Sequence, residues 1–224
     1  MAKKNRPGPT ADRFIDETLA LIGERGGSHG VNLREVSRRV GCAHTNAYNY
    51  FESFEDLLWA SFRHELRAYG DFLGRDLDDS LAPREYLRRV VSNLAAYPEE
   101  QPGRYRFIAS DPIDLERIPA DVLETVARMK RWALDVFRAC LPTLGSSADA
   151  DASCNIVLAY IDGETLNLIN GRMVPGEDVR GRIVENALRL FALLARSGSG
   201  HVVAPPVTSP AYPRLELDGS RQER

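Results

Sequence analysis

A formal charge of −3 on 224 residues is too close to neutrality for a protein that grips nucleic acid along its whole length, so any such role must be local. Three widely spaced cysteines, Cys42, Cys140 and Cys154, fit a reducing cytoplasm and not a disulfide framework. There is no secretory apolar stretch and no apolar run near the ~18 residues of a membrane span, so no membrane partner is expected.

The chain opens on Lys3, Lys4 and Arg6 before Pro7-Gly-Pro9, a basic arm that suits a phosphate backbone or minor groove but equally a solvated tail. Thr10 is an N-cap for a first helix in which Ile15, Leu19 and Ile22, with Phe14 and Leu21 beside them, form a core-facing stripe. The run Gly26 to Gly30 ends it. Asn32 and Glu35 have the spacing of a capping box, and Leu33, Val36 and Val40 fall on one face of a second helix. Arg34, Arg38 and Arg39 point elsewhere.

Gly41 then supplies a left-handed turn, and a third helix should start near Ala43. Ala47 and Phe51, four apart, can pack on Val36 and Val40. His44, Thr45, Asn46, Tyr48 and Asn49 are thereby left outward, with amide and hydroxyl groups that suit base edges and phosphates. By spacing alone this is equally a DNA-reading helix-turn-helix and an ordinary pair of capped helices. Charge distribution leans toward the first reading. Residues 1–51 hold eight basic and five acidic side chains, a local charge of +3 that leaves −6 for the remainder.

Beyond Glu52, Leu58, Phe62, Leu66, Tyr69, Leu73 and Leu77 recur in steps of three and four and predict one long helix. Pro83 suits the first turn of the next, with Leu87, Val90, Val91, Leu94 and Tyr97 apolar and Pro98 at its end. Prolines and glycine break residues 99–119 into a short helix around Tyr105 to Ser110 and irregular pieces. A helix over 120–141 turns Val122, Val126, Met129, Ala133, Val136, Phe137 and Cys140 inward. Two more run from Asp149 or Asp151 to about Asn170 and over 178–196. No strand alternation appears, and the chain reads as all-α. Ser197 opens a tail with four prolines, read as a loose extension able to strap onto the body.

Gly41-Cys-Ala-His-Thr-Asn-Ala-Tyr-Asn-Tyr-Phe51, followed by Glu-Ser-Phe-Glu-Asp-Leu-Leu58, resembles the signature of the tetracycline-repressor (TetR) family of bacterial transcription regulators. The resemblance covers about Thr10 to Leu58. It implies base-reading roles for His44, Thr45 and Asn46 and a phosphate contact from Tyr48, with Arg34, Ala43, Asn49 and Tyr50 completing the DNA-binding set. It also implies that the long helix is a connector whose tilt sets the distance between two reading heads. The sequence departs from the pattern in four places: Ala43 replaces a hydroxyl N-cap, Tyr50 a histidine, Phe54 a lysine, and Ala47 a leucine.

The expected organisation is a DNA-binding domain over 1–55, a helical effector-binding and dimerisation domain over 56–197, and a tail over 198–224. One helix-turn-helix buries too little surface for selective binding, so a homodimer on a palindromic double-stranded operator is expected. Ile156, Tyr160, Ile183, Leu190 and Phe191 are candidates for its interface, or for the monomer core. Tyr97, Phe107, Met129 and Trp132 are of the kind that lines an apolar effector pocket, though Tyr97, Phe107, Met129 and Trp132 serve a plain core equally. Tyr160, Glu164 and Asn167 add a polar stripe at helical spacing, which a solvated face would also explain. No cofactor is expected. The four histidines, His29, His44, His64 and His201, lack metal-ligand spacing, and there is neither a phosphate-cradling loop nor a nucleophile elbow, so an enzyme is not expected. An all-helical protein-interaction module is the other alternative.

Overall fold

Thr10 accepts a hydrogen bond at its side chain from the Arg13 N–H and starts α1 (Ala11–Arg25). Gly26, left-handed at φ 74°, closes it. Asn32 does the same for α2 (Leu33–Val40), its Oδ1 accepting from the Glu35 N–H at 3.1 Å. The expected box is half formed: the Glu35 carboxylate turns instead to Arg25 and, at 3.6 Å, Arg38. Gly41, at φ 84°, ends α2. The computed structural model describes residues 10–112, 117–144, 149–174, 176 and 178–197. The basic arm at Lys3, Lys4 and Arg6 and the tail over 198–224 lie outside them.

The remaining α-helices are α3 (Phe54–Leu73), α4 (Pro83–Glu100), α5 (Pro102–Ala109), α6 (Ala120–Cys140), α7 (Ala150–Ile169) and α8 (Val179–Ser197). No strand occurs among the described residues. Five local expectations change, the first being that α3 stops at Leu73, short of Leu77. Pro98 does not end α4 but lies buried in its last turn, where its missing N–H breaks little of the ladder. The helix expected around Tyr105 begins earlier, with Pro102 in its first turn. Leu57, not Leu58, is the fully buried leucine at the start of α3. Val126 is 45% exposed, because of the early turns of α6 only Val122 is covered.

The chain forms two compact units. The N-terminal one holds the residues up to Leu66 together with Gln101–Pro119, so it reaches past residue 55 and takes in α5. Its core is built on Phe14, Leu19, Leu21 and Ile22 of α1, Val36 and Val40 of α2, and Leu57 and Phe62 of α3. The α5 helix meets α1 closely: a Cβ on Gly103 would lie 2.6 Å from the Ile22 carbonyl oxygen and 2.8 Å from that of Gly23. Alongside, Arg104 reaches the fully buried Glu65 carboxylate at 3.4 Å. Asp111 accepts from both the backbone N–H and the hydroxyl of Ser28, each at 2.6 Å.

The other unit comprises Arg67–Glu100 and the chain from Ala120 onward. There α4 packs on α6, α7 and α8, and α7 on α8, around Val90, Val91, Trp132, Phe137, Val157, Ile161, Ile183 and Phe191. Asn93, buried on α4, donates to the carbonyls of Leu73 and Arg75 and so satisfies groups that the end of α3 leaves open. Burial pushes the Cys140 thiol above its ordinary range. Burial, and then the charge of Asp151, takes Cys154 up to about 12.

Two outcomes follow from this packing. Gly103→Ala should lower the free energy of unfolding by about 2 kcal/mol, read by urea denaturation, because backbone and not a flexible side chain stands where the methyl must go. A thiol reagent at about pH 8 should modify Cys42 in the native protein and reach Cys140 and Cys154 only on unfolding, as counted by mass spectrometry.

Candidate DNA-binding surface

Residues 44–49 are short of strong helix formers, and Ala43 before them offers no capping oxygen. The segment His44–Asn49 accordingly winds as a 3-10 helix, tighter than the α-helix the spacing predicts. Its position is set from beneath. Ala47, 1% exposed, is the inward residue of the segment, and Phe51 follows it into the core. Phe14 of α1 meets the Phe51 ring edge-on with centroids 6.2 Å apart, and the Tyr50 ring at 5.9 Å.

With Ala47 turned in, the predicted DNA-binding residues face out. Arg34, Ala43, His44, Thr45, Tyr48, Asn49 and Tyr50 are exposed, and Asn46 is half-buried. Tyr48 exposes 55% of its surface and Tyr50 44%. The result is one continuous polar edge carried on a braced base.

Much of the local positive charge is spent inside the head. Arg13 donates from Nη2 to the Val40 carbonyl at 2.8 Å, placing a cation at the C-terminal end of α2. Arg39 grips Glu24 through two hydrogen bonds, one of 2.7 Å, and this holds the Glu24 carboxyl below its ordinary value and raises Arg39. Arg25 bonds Glu35 and the Gly30 carbonyl. Arg34 and Arg38 are the outward cations of α2. Phe54, where the family pattern has lysine, is half-buried at the first position of α3.

The residues proposed to line an effector pocket divide between the two units. Phe107 belongs to the N-terminal unit, where its ring meets Phe62 at 5.4 Å, and the other six to the second unit. Trp132 borders a cavity of about 520 Å³ together with Asp71, Leu77 and Tyr86. Tyr97 is buried against the rings of Tyr69 and Phe72. Met129 is half-buried against the core. Along α7, Glu164 pairs with Arg182 at 3.0 Å, the Tyr160 hydroxyl is buried without a hydrogen-bond partner, and Asn167 is half-buried. Among the dimer candidates, Ile183 and Phe191 are core residues at 0% and 2% exposure, on a helix that packs against α4 and α7, with the Phe191 ring edge-on to Phe137 of α6. Ile156, at 46%, is open, while Tyr160 and Leu190 are intermediate. Sequence patterns did not single out Glu55, Trp59 or Asp111, which with Phe62 and Phe107 surround a second cavity. The aromatic pair Trp59 and Phe62, three apart on one helix face, is the signal available for it.

No group of histidine, cysteine and carboxylate side chains among the described residues could hold a metal ion, and no described helix is long and apolar enough to cross a membrane. No family model matches the chain. Over 79 residues, 35% of the chain, it is 29% identical to the HTH-type transcriptional regulator BetI of Brucella anthropi, and it spans only 40% of that regulator's length. The fold is similar to that of a TetR-like transcriptional regulator from Rhodococcus sp. RHA1, with a TM-score of 0.59, 17% identity, and coverage of 87% of this chain and all of the other. It is also similar to the transcriptional regulator FadR from Bacillus subtilis, solved with stearoyl-CoA, with a TM-score of 0.62, 16% identity, and coverage of 82% of this chain and 98% of the other. The all-helical fold is therefore that of TetR-like transcriptional regulators, and part of the sequence is similar to that of an HTH-type regulator.

Proposed function

We propose that the protein is a sequence-specific DNA-binding transcriptional regulator, a homodimeric repressor that leaves its operator when a small molecule binds. The observation that carries this reading is the exposed edge from Ala43 to Tyr50, polar and hydrogen-bonding, held outward by the burial of Ala47 and Phe51. Thr45 and Asn46 read base edges. Tyr48, Tyr50 and Arg34 hold phosphates and set the register.

A dimer places two such edges about 34 Å apart on successive major grooves. Ile156 on α7 and Leu193 on α8, 46% and 53% exposed, lie on helices that pack together and would form a four-helix interface with their symmetry mates. The effector enters the helical unit, for which the cavity beside Trp132 and Tyr86 is a suitable place. Effector binding moves α3, which starts three residues after Phe51, and release follows if the ligand prefers the non-binding state by a few kcal/mol.

Selection of bound fragments from random duplex DNA should recover a palindrome. On that duplex, Thr45→Ala and Asn46→Ala should each weaken binding by about 1–3 kcal/mol in a fluorescence-anisotropy titration, with selectivity relaxed at the contacted base pairs. Unchanged affinity and selectivity in both variants would refute the reading of this edge. Phe54→Lys should steepen the dependence of log affinity on log salt by roughly one, the signature of an added phosphate contact.

A further inference from the structure

In the second unit, the first turns of α4, the 3-10 turn Leu141–Leu144 and the last turns of α8 surround a groove of about 410 Å³. Its floor is apolar. Leu87 and Phe191 lie buried at the bottom, with Leu144, Leu188 and Ala192 half-buried above them. Arg84, Arg88 and Arg196 stand exposed along the rim. Arg88 pairs with Glu185 at 2.6 Å and Arg84 donates to the Thr143 carbonyl at 3.2 Å, each a use of one of the five N–H groups that a guanidinium carries. Glu85, the acid of the lining, is turned to Arg89 at 3.2 Å. The groove therefore suits an occupant with apolar side chains on one side and carbonyl acceptors on the other.

The chain itself supplies one within reach. Residues 198–201, Gly-Ser-Gly-His, follow directly on α8 and lead to Val202-Val-Ala-Pro-Pro-Val207, six residues without a polar side chain. Consecutive prolines favour the extended polyproline conformation, which leaves backbone carbonyls without internal partners, and Pro205 and Pro206 carry no N–H that would need one. Such a stretch is already extended, so seating it costs little further order. The lengths agree as well. Along α8 the lining runs from Leu188 to Arg196, ~12 Å at the helical rise, and six residues in the polyproline form span ~19 Å. The four residues of the link reach ~13 Å, enough to double back over the last turns of the helix.

We propose that the segment 202–207 lies in this groove of its own chain, running back along α8. Its valines cover Leu188, Phe191 and Ala192, and its carbonyls accept from Arg84, Arg88 and Arg196. The segment straps α4 and the 3-10 turn to α8, and it uses neither Ile156 nor Leu193, so it is compatible with the proposed dimer.

Proteolysis of the native full-length protein tests this without DNA, so its failure would leave the regulator reading standing. Elastase, which cuts after small apolar residues, should cleave within 202–207 about tenfold more slowly in wild type than in Ala192→Glu, where a charged side chain fills the floor. Arg196→Ala, at an exposed position, should speed the same cleavage severalfold. Trypsin cleavage after Arg214, beyond the segment, should proceed equally in all three proteins. Mass spectrometry locates the cuts, and circular dichroism checks that the variants fold. Elastase rates alike in wild type and both variants, or a rise at Arg214 that matches the rise within 202–207, would overturn the proposal. So would protection that is lost on dilution, which would put a neighbouring chain's segment in the groove.

Discussion

The apolar seam between α1, α2 and the turn that follows is the constraint on which the N-terminal unit depends. Val36, Val40, Ala47 and Phe51 all reach the core beside Phe14, and none could turn outward without exposing apolar surface. Because the segment 44–49 has a single inward residue, that one commitment fixes its rotation. Every neighbouring side chain then has only the outer edge to occupy. The polar edge is in this sense the complement of the seam, produced by what is buried and not by the polar residues themselves.

A second set of constraints braces the seam from its rim. Arg13 on the Val40 carbonyl, Arg39 on Glu24 and Arg25 on Glu35 tie α1 and α2 together by charge-assisted bonds at their exposed ends. These pairs are solvent-facing, so their value is orientation more than stability. They also decide which arginines remain outward, an assignment that a count of basic residues conceals: of the five described arginines up to Phe51, Arg13, Arg25 and Arg39 hold α1 to α2, and Arg34 and Arg38 are left facing out.

What the sequence reveals is local. Asn32 before an apolar-periodic run and Gly41 after it read directly as the two ends of a helix, and Thr10 and Asp149 cap where expected. What it conceals depends on partners far along the chain. Ile183 and Phe191 have the periodicity of an interface and are core only because α4 and α7 pack along α8. Val126 has the periodicity of a core residue and is exposed because nothing covers that turn. Membership of α5 in the N-terminal unit could not be read from its composition either. It rests on a glycine whose missing side chain matters only once Ile22 and Gly23 stand against it. The 3-10 winding of residues 44–49 sits between the cases, since weak helix formers were visible but the geometry they yield was not.

The dependence of the recognition segment on one small inward residue has an evolutionary side. A short 3-10 turn owes little of its shape to the side chains it displays, so exchanges at His44, Thr45, Tyr48 or Asn49 disturb neither the seam beneath nor the caps on either side. Such a scaffold tolerates drift where drift changes meaning, and resists it at Ala47. On the proposed DNA-reading role, a lineage built on it could acquire new genomic addresses by single substitutions while its architecture stayed still.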